Sequence, residues 1–437
     1  MTENLDRFAG LNGDQKRALL KKMLAEAGPT PRQRQGFALP PEYASFRARL
    51  ETSGEEGLAD IFYRNFDGIN AHRAVMGGVE FINFCSYNYL GLSGDRRVSD
   101  AAKDAIDTYG TSVSASRLVS GERPLHGALE MAIARWIGTE AAISFVGGFS
   151  TNEDVIGHLM SEGDLIIYDS LIHASVQQGA RLSGATTLPF PHNNFDALDT
   201  ILKRRRGQAR QVLIVVEGVY SMDGDIPDLP ALLDIKRRHN ALVMVDEAHS
   251  MGVLGATGRG LSEYAGVAAG DIDLWMGTLS KSFASCGGYI AGSQEIVSYL
   301  RHTSPGFVFS VGMSPPLAAA AYAALQVLEA EPERVAQLNA RTAQFHALAG
   351  ARGLDLGPAN PAAAVVPIMV GDSNKAARLS HALVRRGILA LPIGFPAVPE
   401  NKARLRLFLS STHTEDEIRS AADSIADELD HAGEGKS

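Results

Sequence analysis

The sequence predicts an α/β protein, with a mostly parallel sheet between layers of helix and a smaller α+β domain after it. Three observations carry this expectation. Short β-branched runs at 142–145, 165–168, 213–216 and 242–245 alternate with Leu- and Ala-rich stretches of helical spacing, the pattern of crossover units in a parallel sheet. A chain of 437 residues, 45% hydrophobic and 21% charged, is long enough for two domains and a large core. After Pro315-Pro316 the texture changes, and an Ala-rich helix over 317–331 leads to strands near 364–370 and 403–409.

Taken in order, residues 14–27 read as a short helix with Leu19, Leu20, Met23 and Leu24 as its apolar stripe. A linker containing Pro and Arg follows over 28–41, so this helix is expected to lie outside the main body, which begins near Tyr43. The expected division is 1–80 for helix, linker and arm, 81–320 for a large domain and 321–437 for a small one. Ligands of parallel sheets lie beyond the carboxyl ends of the strands, where Asp169, Glu217, Asp246 and Lys281 fall.

Composition excludes several roles. A formal charge of −9 argues against nucleic-acid binding, which leaves a basic footprint. The basic clusters at 203–206 and 236–238 end predicted helices, where cations complement the helix dipole. Two cysteines, Cys85 and Cys286, are too few for a disulfide framework or a zinc site, and Cys286 reads as a small core residue. The sequence shows no membrane-spanning run and no signal-peptide pattern at its start, so a soluble, cytoplasmic protein without a bound metal is expected.

The chemistry concentrates at two strand ends. The run Val243-Met244-Val245 ends in Asp246, and a later apolar run ends in Gly277-Thr278-Leu279-Ser280-Lys281. Pyridoxal phosphate (PLP) needs such a set: a lysine to form an imine with its aldehyde, a carboxylate to keep its pyridine nitrogen protonated, and a hydroxyl for its phosphate. Lys281, Asp246 and Thr278 suit those roles. A carboxylate on so apolar a strand is costly unless paired, and a pyridinium would pair it. His249 stands where it can bond the phenolic oxygen of the cofactor, and His173, just past another strand, where it can stack on the ring. The turn at 145–152 leads from strand through Gly147 and Gly148 into a helix whose free N–H groups make an anion site.

Three blocks, at 217–225 (EGVYSMDGD), 246–252 (DEAHSMG) and 277–282 (GTLSKS), resemble the signature segments of the α-oxoamine synthases, which are PLP-dependent enzymes of fold type I. The resemblance runs from about residue 81 to 418. It implies a large domain with a seven-stranded, mostly parallel sheet, and it implies roles position by position. Lys281 is the Schiff-base lysine, Asp246 the pyridinium partner, and His249 and Ser221 the contacts to the phenolic oxygen. His173 stacks on the ring, and Gly148 and Phe149 cradle the cofactor beside Thr278. Ser310 matches a hydroxyl that reaches the phosphate of the other subunit, which implies a homodimer with shared active sites. Arg406 matches an arginine that grips the amino-acid carboxylate, for which a guanidinium fork is suited; Arg404 is read as pointing to the opposite face. Tyr87 lies near the substrate carboxylate or the incoming thioester.

The reaction so implied is a decarboxylative Claisen condensation of serine, alanine or glycine with an acyl thioester, giving an α-amino ketone, carbon dioxide and free thiol. The rival readings are another fold-type-I reaction (aminotransferase or aldolase) and a non-catalytic partner subunit; such subunits lack the lysine that stands here at 281. Two segments depart from many relatives, at 110–117, where serines and an alanine replace glycines, and at 393–399, which lacks an arginine. Both are expected to line the acyl entrance, so the acyl chain is left open. The helix at 11–20 resembles linker helices beside carrier-protein modules, which puts an acyl-carrier protein beside acyl-CoA as the donor.

Overall fold

The computed structural model describes residues 39–55 and 62–434, with Gln15, Lys16, Ala18 and Lys22 as further helical positions. The rest of the helix expected over 14–27, its apolar stripe included, lies outside the described residues. The chain forms two compact units, Met1–Ala59 and Asp60–Ser437. The first holds the helix Glu42–Glu55. The second holds everything that follows.

The strands of the second unit are β1 (Arg73–Met76), β2 (Val79–Asn83), β3 (Ala141–Phe145), β4 (Leu165–Asp169), β5 (Thr186–Phe190), β6 (Val212–Glu217), β7 (Leu242–Asp246), β8 (Leu274–Thr278), β9 (Gly288–Gly292), β10 (Val365–Gly371), β11 (Ile388–Leu389), β12 (Leu391–Ile393) and β13 (Ala403–Phe408). Seven of them form the central sheet in the order β3-β9-β8-β7-β6-β4-β5. Neighbours from β8 to β5 run parallel, and β9 is antiparallel to both β3 and β8.

Alternating residues of this sheet enter two separate cores. Ile214 and Val216 of β6 and Val243 and Val245 of β7 face one core, while Val215 and Met244 face the other. Both faces are therefore buried, which is why these strands read as unbroken apolar runs instead of alternating ones. Leu129, Leu198, Leu232 and Leu325 bring helices to the first face, and Ile156, Val176 and Leu300 bring helices to the second.

β9 is pressed closely against the helix Gly148–Leu159. A Cβ at Gly288 would lie 2.4 Å from Thr151 Oγ1 and 2.9 Å from Gly148 Cα. The missing side chain lets the start of that helix sit over the strand ends where the site forms.

Two small sheets complete the unit. β10, β13 and β12 pair antiparallel in that order. β2 pairs antiparallel with β1 and parallel with β11, so the hairpin at 73–83 is joined to residues 388–389. One expectation fails here. Cys286 is exposed, because it sits in the loop between β8 and β9 and not on either strand. Among the described residues no helix is long and apolar enough to cross a membrane.

Candidate active site

Seven of the expected site residues line one cavity of about 150 Å³ at the carboxyl ends of β7 and β8: Gly148, Phe149, His173, Asp246, His249, Thr278 and Lys281. Parallel strands bring them together. Asp246 closes β7, Thr278 closes β8, and Lys281 follows three residues later. Burial lowers the Lys281 pKa to about 8, against the opposing pull of Asp246 and Glu217. Its Nζ lies 5.6 Å from the centre of the Tyr87 ring.

Asp246 is 4% exposed. Its carboxylate accepts from Asn152 Nδ2 at 2.8 Å and from the Ala248 amide at 3.0 Å, both neutral donors. Beside it on β6, Glu217 is buried, and its Oε1 has no partner. Burial first, and then the Asp246 charge, raise the Glu217 pKa well above the usual carboxylate range. Two carboxyls this close and this buried disfavour a second negative charge.

Two histidines share the cavity with this carboxylate. His249 Nδ1 is 2.7 Å from the Tyr89 hydroxyl, and burial, with the Lys281 charge behind it, holds its pKa well below the ordinary value. His173 precedes the helix Ala174–Leu182 and meets the Phe149 ring edge-on at 5.9 Å. It is exposed toward the cavity, and the packing of the rest of its ring lowers its pKa.

The other end of the cavity suits an anion. The helix Gly148–Leu159 begins after Gly147 with no side-chain cap, so its first N–H groups are free. The Thr278 and Ser280 hydroxyls lie 2.7 Å apart beside it. A Cβ at Gly148 would come within 2.7 Å of Thr278 Oγ1, so glycine keeps this cradle open.

Arg406, Ser221 and Tyr87 border the site without lining the cavity. Arg406 is 9% exposed, donates from Nη1 to the Ser221 carbonyl at 3.1 Å, and leaves its buried Nε without a partner. Its guanidinium lies 4.8 Å from the Phe408 ring, on which Tyr87 also packs at 4.7 Å. Ser221 contributes its backbone, donating its N–H to Glu217 Oε2 at 3.2 Å. Ser310 stands apart; its hydroxyl is exposed and bonds only the neighbouring Val311 carbonyl.

The expectation for Arg404 is corrected. It pairs with Asp223 and donates to the Met222 carbonyl at 3.0 Å, reaching the same 221–223 loop as Arg406. Residues two apart on a strand share a face. Arg404 anchors the loop and leaves Arg406 free to act.

Sequence reasoning passed over Asn152, Ser175 and Ser280, which also line the cavity. Weak signals existed: Asn152 falls one helical turn after Gly148, and Ser175 and Ser280 lie two residues from His173 and Thr278.

These residues fit PLP. A weakly basic amine and a buried carboxylate with only neutral partners face one cavity, and an uncapped helix start with two hydroxyls offers a phosphate cradle. The profile of the aminotransferase class I and II family matches residues 79–425. The chain is 38% identical to the 8-amino-7-oxononanoate synthase of Fervidobacterium nodosum, over 87% of this chain and 96% of that one. It is 40% identical to that of Geobacter sulfurreducens, over 87% and 97%. A serine palmitoyltransferase structure from S. paucimobilis, with PLP and myriocin bound, superposes with a TM-score of 0.87 at 30% identity, covering 91% of this chain and 100% of that one. The fold and site thus define a fold-type-I PLP enzyme. More narrowly, the chain belongs to the α-oxoamine synthases, a family of PLP-dependent acyltransferases.

Proposed function

We propose that this chain condenses a small amino acid (serine, alanine or glycine) with an acyl thioester, releasing carbon dioxide and free thiol and leaving an α-amino ketone. The acyl group comes from acyl-CoA or an acyl-carrier protein. The observation that carries the reading is the meeting of Lys281 and Asp246 in one cavity, with the Arg406 guanidinium beside it.

When bound, PLP supplies the electron sink for charge developing at the amino acid's Cα. The protein's own groups do the rest. Asp246 would keep a proton on the pyridine nitrogen, and Thr278, with the helix start at Gly148 and Phe149, would hold the phosphate. His173 would cover the ring, and His249 and Ser221 would be the residues to hold its phenolic oxygen. Arg406 grips the substrate carboxylate with Tyr87 near it. Lys281, with its pKa brought down to about 8, is a base available near neutral pH for the Cα proton.

In this reading residues 81–320 bind the cofactor, 321–437 supply Arg406, and 1–80 form the arm. The enzyme works in the cytoplasm as a homodimer with shared active sites, Ser310 reaching the phosphate bound by the partner subunit.

Lys281→Ala tests the assignment. Thioester-dependent release of thiol with glycine, alanine or serine is expected to fall by at least about a thousandfold, together with loss of the lysine-bound cofactor absorbance. Retained turnover would contradict the scheme.

A further inference from the structure

We propose that Asn152 and Ser175 are positioning residues that hold His173 in a single neutral tautomer while keeping Asp246 aimed at the same cofactor ring. This rests on reading the cavity as a PLP site. Asn152 is 1% exposed and Ser175 fully buried, so neither has water as an alternative partner.

The Asn152 amide has two hydrogens. One goes to Asp246 Oδ2 at 2.8 Å and the other to Ser175 Oγ at 2.9 Å. Turning the amide over would set its carbonyl against a carboxylate, so its orientation is decided even though Oδ1 is left without a partner.

Ser175 Oγ, already accepting from Asn152, has its own hydrogen to give. The acceptor in reach is His173 Nδ1, at 2.7 Å. The Ser175 backbone N–H also points at Nδ1, from 3.3 Å. With two donors converging on it, Nδ1 accepts, and the ring's one proton sits on Nε2. A proton on Nδ1 would break both bonds and strand the Ser175 hydroxyl hydrogen.

The surrounding charges are mixed. Burial of the ring is the largest influence and disfavours an imidazolium at His173; Asp246 favours one, and Lys281 and Arg406 oppose it, with His249 and Glu217 the other titratable groups beside it. Asp246 is thus the one group that draws a proton towards His173, against the burial of the ring. An imidazolium there would compete with the pyridine nitrogen for the one carboxylate charge and repel its proton. The serine hydroxyl, held by the asparagine amide, adds to burial in opposing it. Together they leave the Asp246 charge to the ring nitrogen.

The test measures PLP dissociation constants of the holoenzyme and its variants from about pH 5 to 9. Ser175→Ala is expected to move the acid-side midpoint of PLP affinity up by about one pH unit, the worth of one hydrogen bond to a buried ring nitrogen. Ser175→Thr, which keeps the hydroxyl, is expected to restore the wild-type midpoint. Asn152→Ala acts on the same chain without touching residue 175, so it carries the test should Ser175→Ala not fold. It is expected to weaken PLP binding about tenfold and to move the midpoint in the same direction. A Ser175→Ala or Asn152→Ala protein that binds PLP with the wild-type profile overturns the proposal, as does a Ser175→Thr protein that behaves like Ser175→Ala. A loss of thermal stability without a moved midpoint shows packing alone and overturns it too. Wild-type protein that binds no PLP overturns the cofactor reading, and this proposal with it.

Discussion

At the scale of single residues, the site is governed by which buried groups carry protons. Tyr89 is fully buried and shares one hydrogen with His249 Nδ1 across 2.7 Å. Burial pushes the phenol pKa well above its usual value and the imidazole pKa well below, so the pair is neutral and mutually satisfied. Tyr89→Phe keeps the ring and removes the partner, stranding a desolvated ring nitrogen or N–H. The variant is expected to lose about 1–3 kcal/mol of unfolding free energy and to bind PLP more weakly, since His249 is then free to rotate. Urea melts read the first effect and cofactor titration the second. A melt identical to wild type would show that the hydroxyl contributes nothing. Lys281 follows the same logic as His249, as burial lowers the pKa of its ammonium to about 8.

At the scale of elements, loops at the carboxyl ends of neighbouring strands are tied to one another. His192, two residues after β5, bridges Asp169 at the end of β4 and Asp225 in the loop after β6, at 2.9 and 2.7 Å. Burial alone would lower its pKa, but the two carboxylates more than offset this and raise it to about 10. A histidine whose pKa is higher when folded stabilises fully below its unfolded value of about 6.5, and that contribution is lost as pH rises through 10. The stability penalty of His192→Ala is therefore expected to be largest near pH 6 and to shrink steadily towards pH 10. A penalty constant from pH 6 to 10 would refute the charged bridge. The element scale also shows what was readable beforehand. β3, β4, β6 and β7 lie within a residue of their expected ends at each terminus, because strands buried on both faces must be apolar throughout. β9 escaped notice because Gly-Tyr-Ile-Ala-Gly offers no such run, and its Gly288 serves a close approach to the helix Gly148–Leu159. β5 carries Pro189 on a sheet edge, while β11 and β12 are only two and three residues long. Asp246 and Lys281 stood out as polar residues at apolar strand ends. Asn152 and Ser175 did not, because their partners come from separate elements that only the packed sheet brings together.

At the scale of the whole molecule, one chain leaves its own site open. Phe149, His173 and Ser280 are all exposed around the cavity. Ser310, which the family pattern associates with phosphate, does not line it. The surface beside Ser310 is apolar: Phe309 is 86% exposed, Val311 47%, Leu118 51% and Val119 80%. These residues belong to two segments tied together, with Ser116 Oγ donating to the Val308 carbonyl at 2.6 Å and the Gly312 amide to the Ala115 carbonyl at 3.1 Å. Large apolar side chains grouped in this way mark a covered surface. In the homodimer proposed above, a second copy of the chain would cover this surface and give Ser310 a phosphate to reach. Placing a charge at the centre of this patch, Phe309→Glu, is expected to shift the protein from dimer to monomer in sedimentation velocity and to weaken PLP binding by about tenfold or more. Ser310→Ala is expected to weaken PLP binding while leaving the dimer intact, which separates the phosphate contact from assembly. A Phe309→Glu protein that sediments as a dimer, or a wild-type monomer that holds PLP and turns over fully, would remove the shared site from the scheme and leave each chain to complete its own.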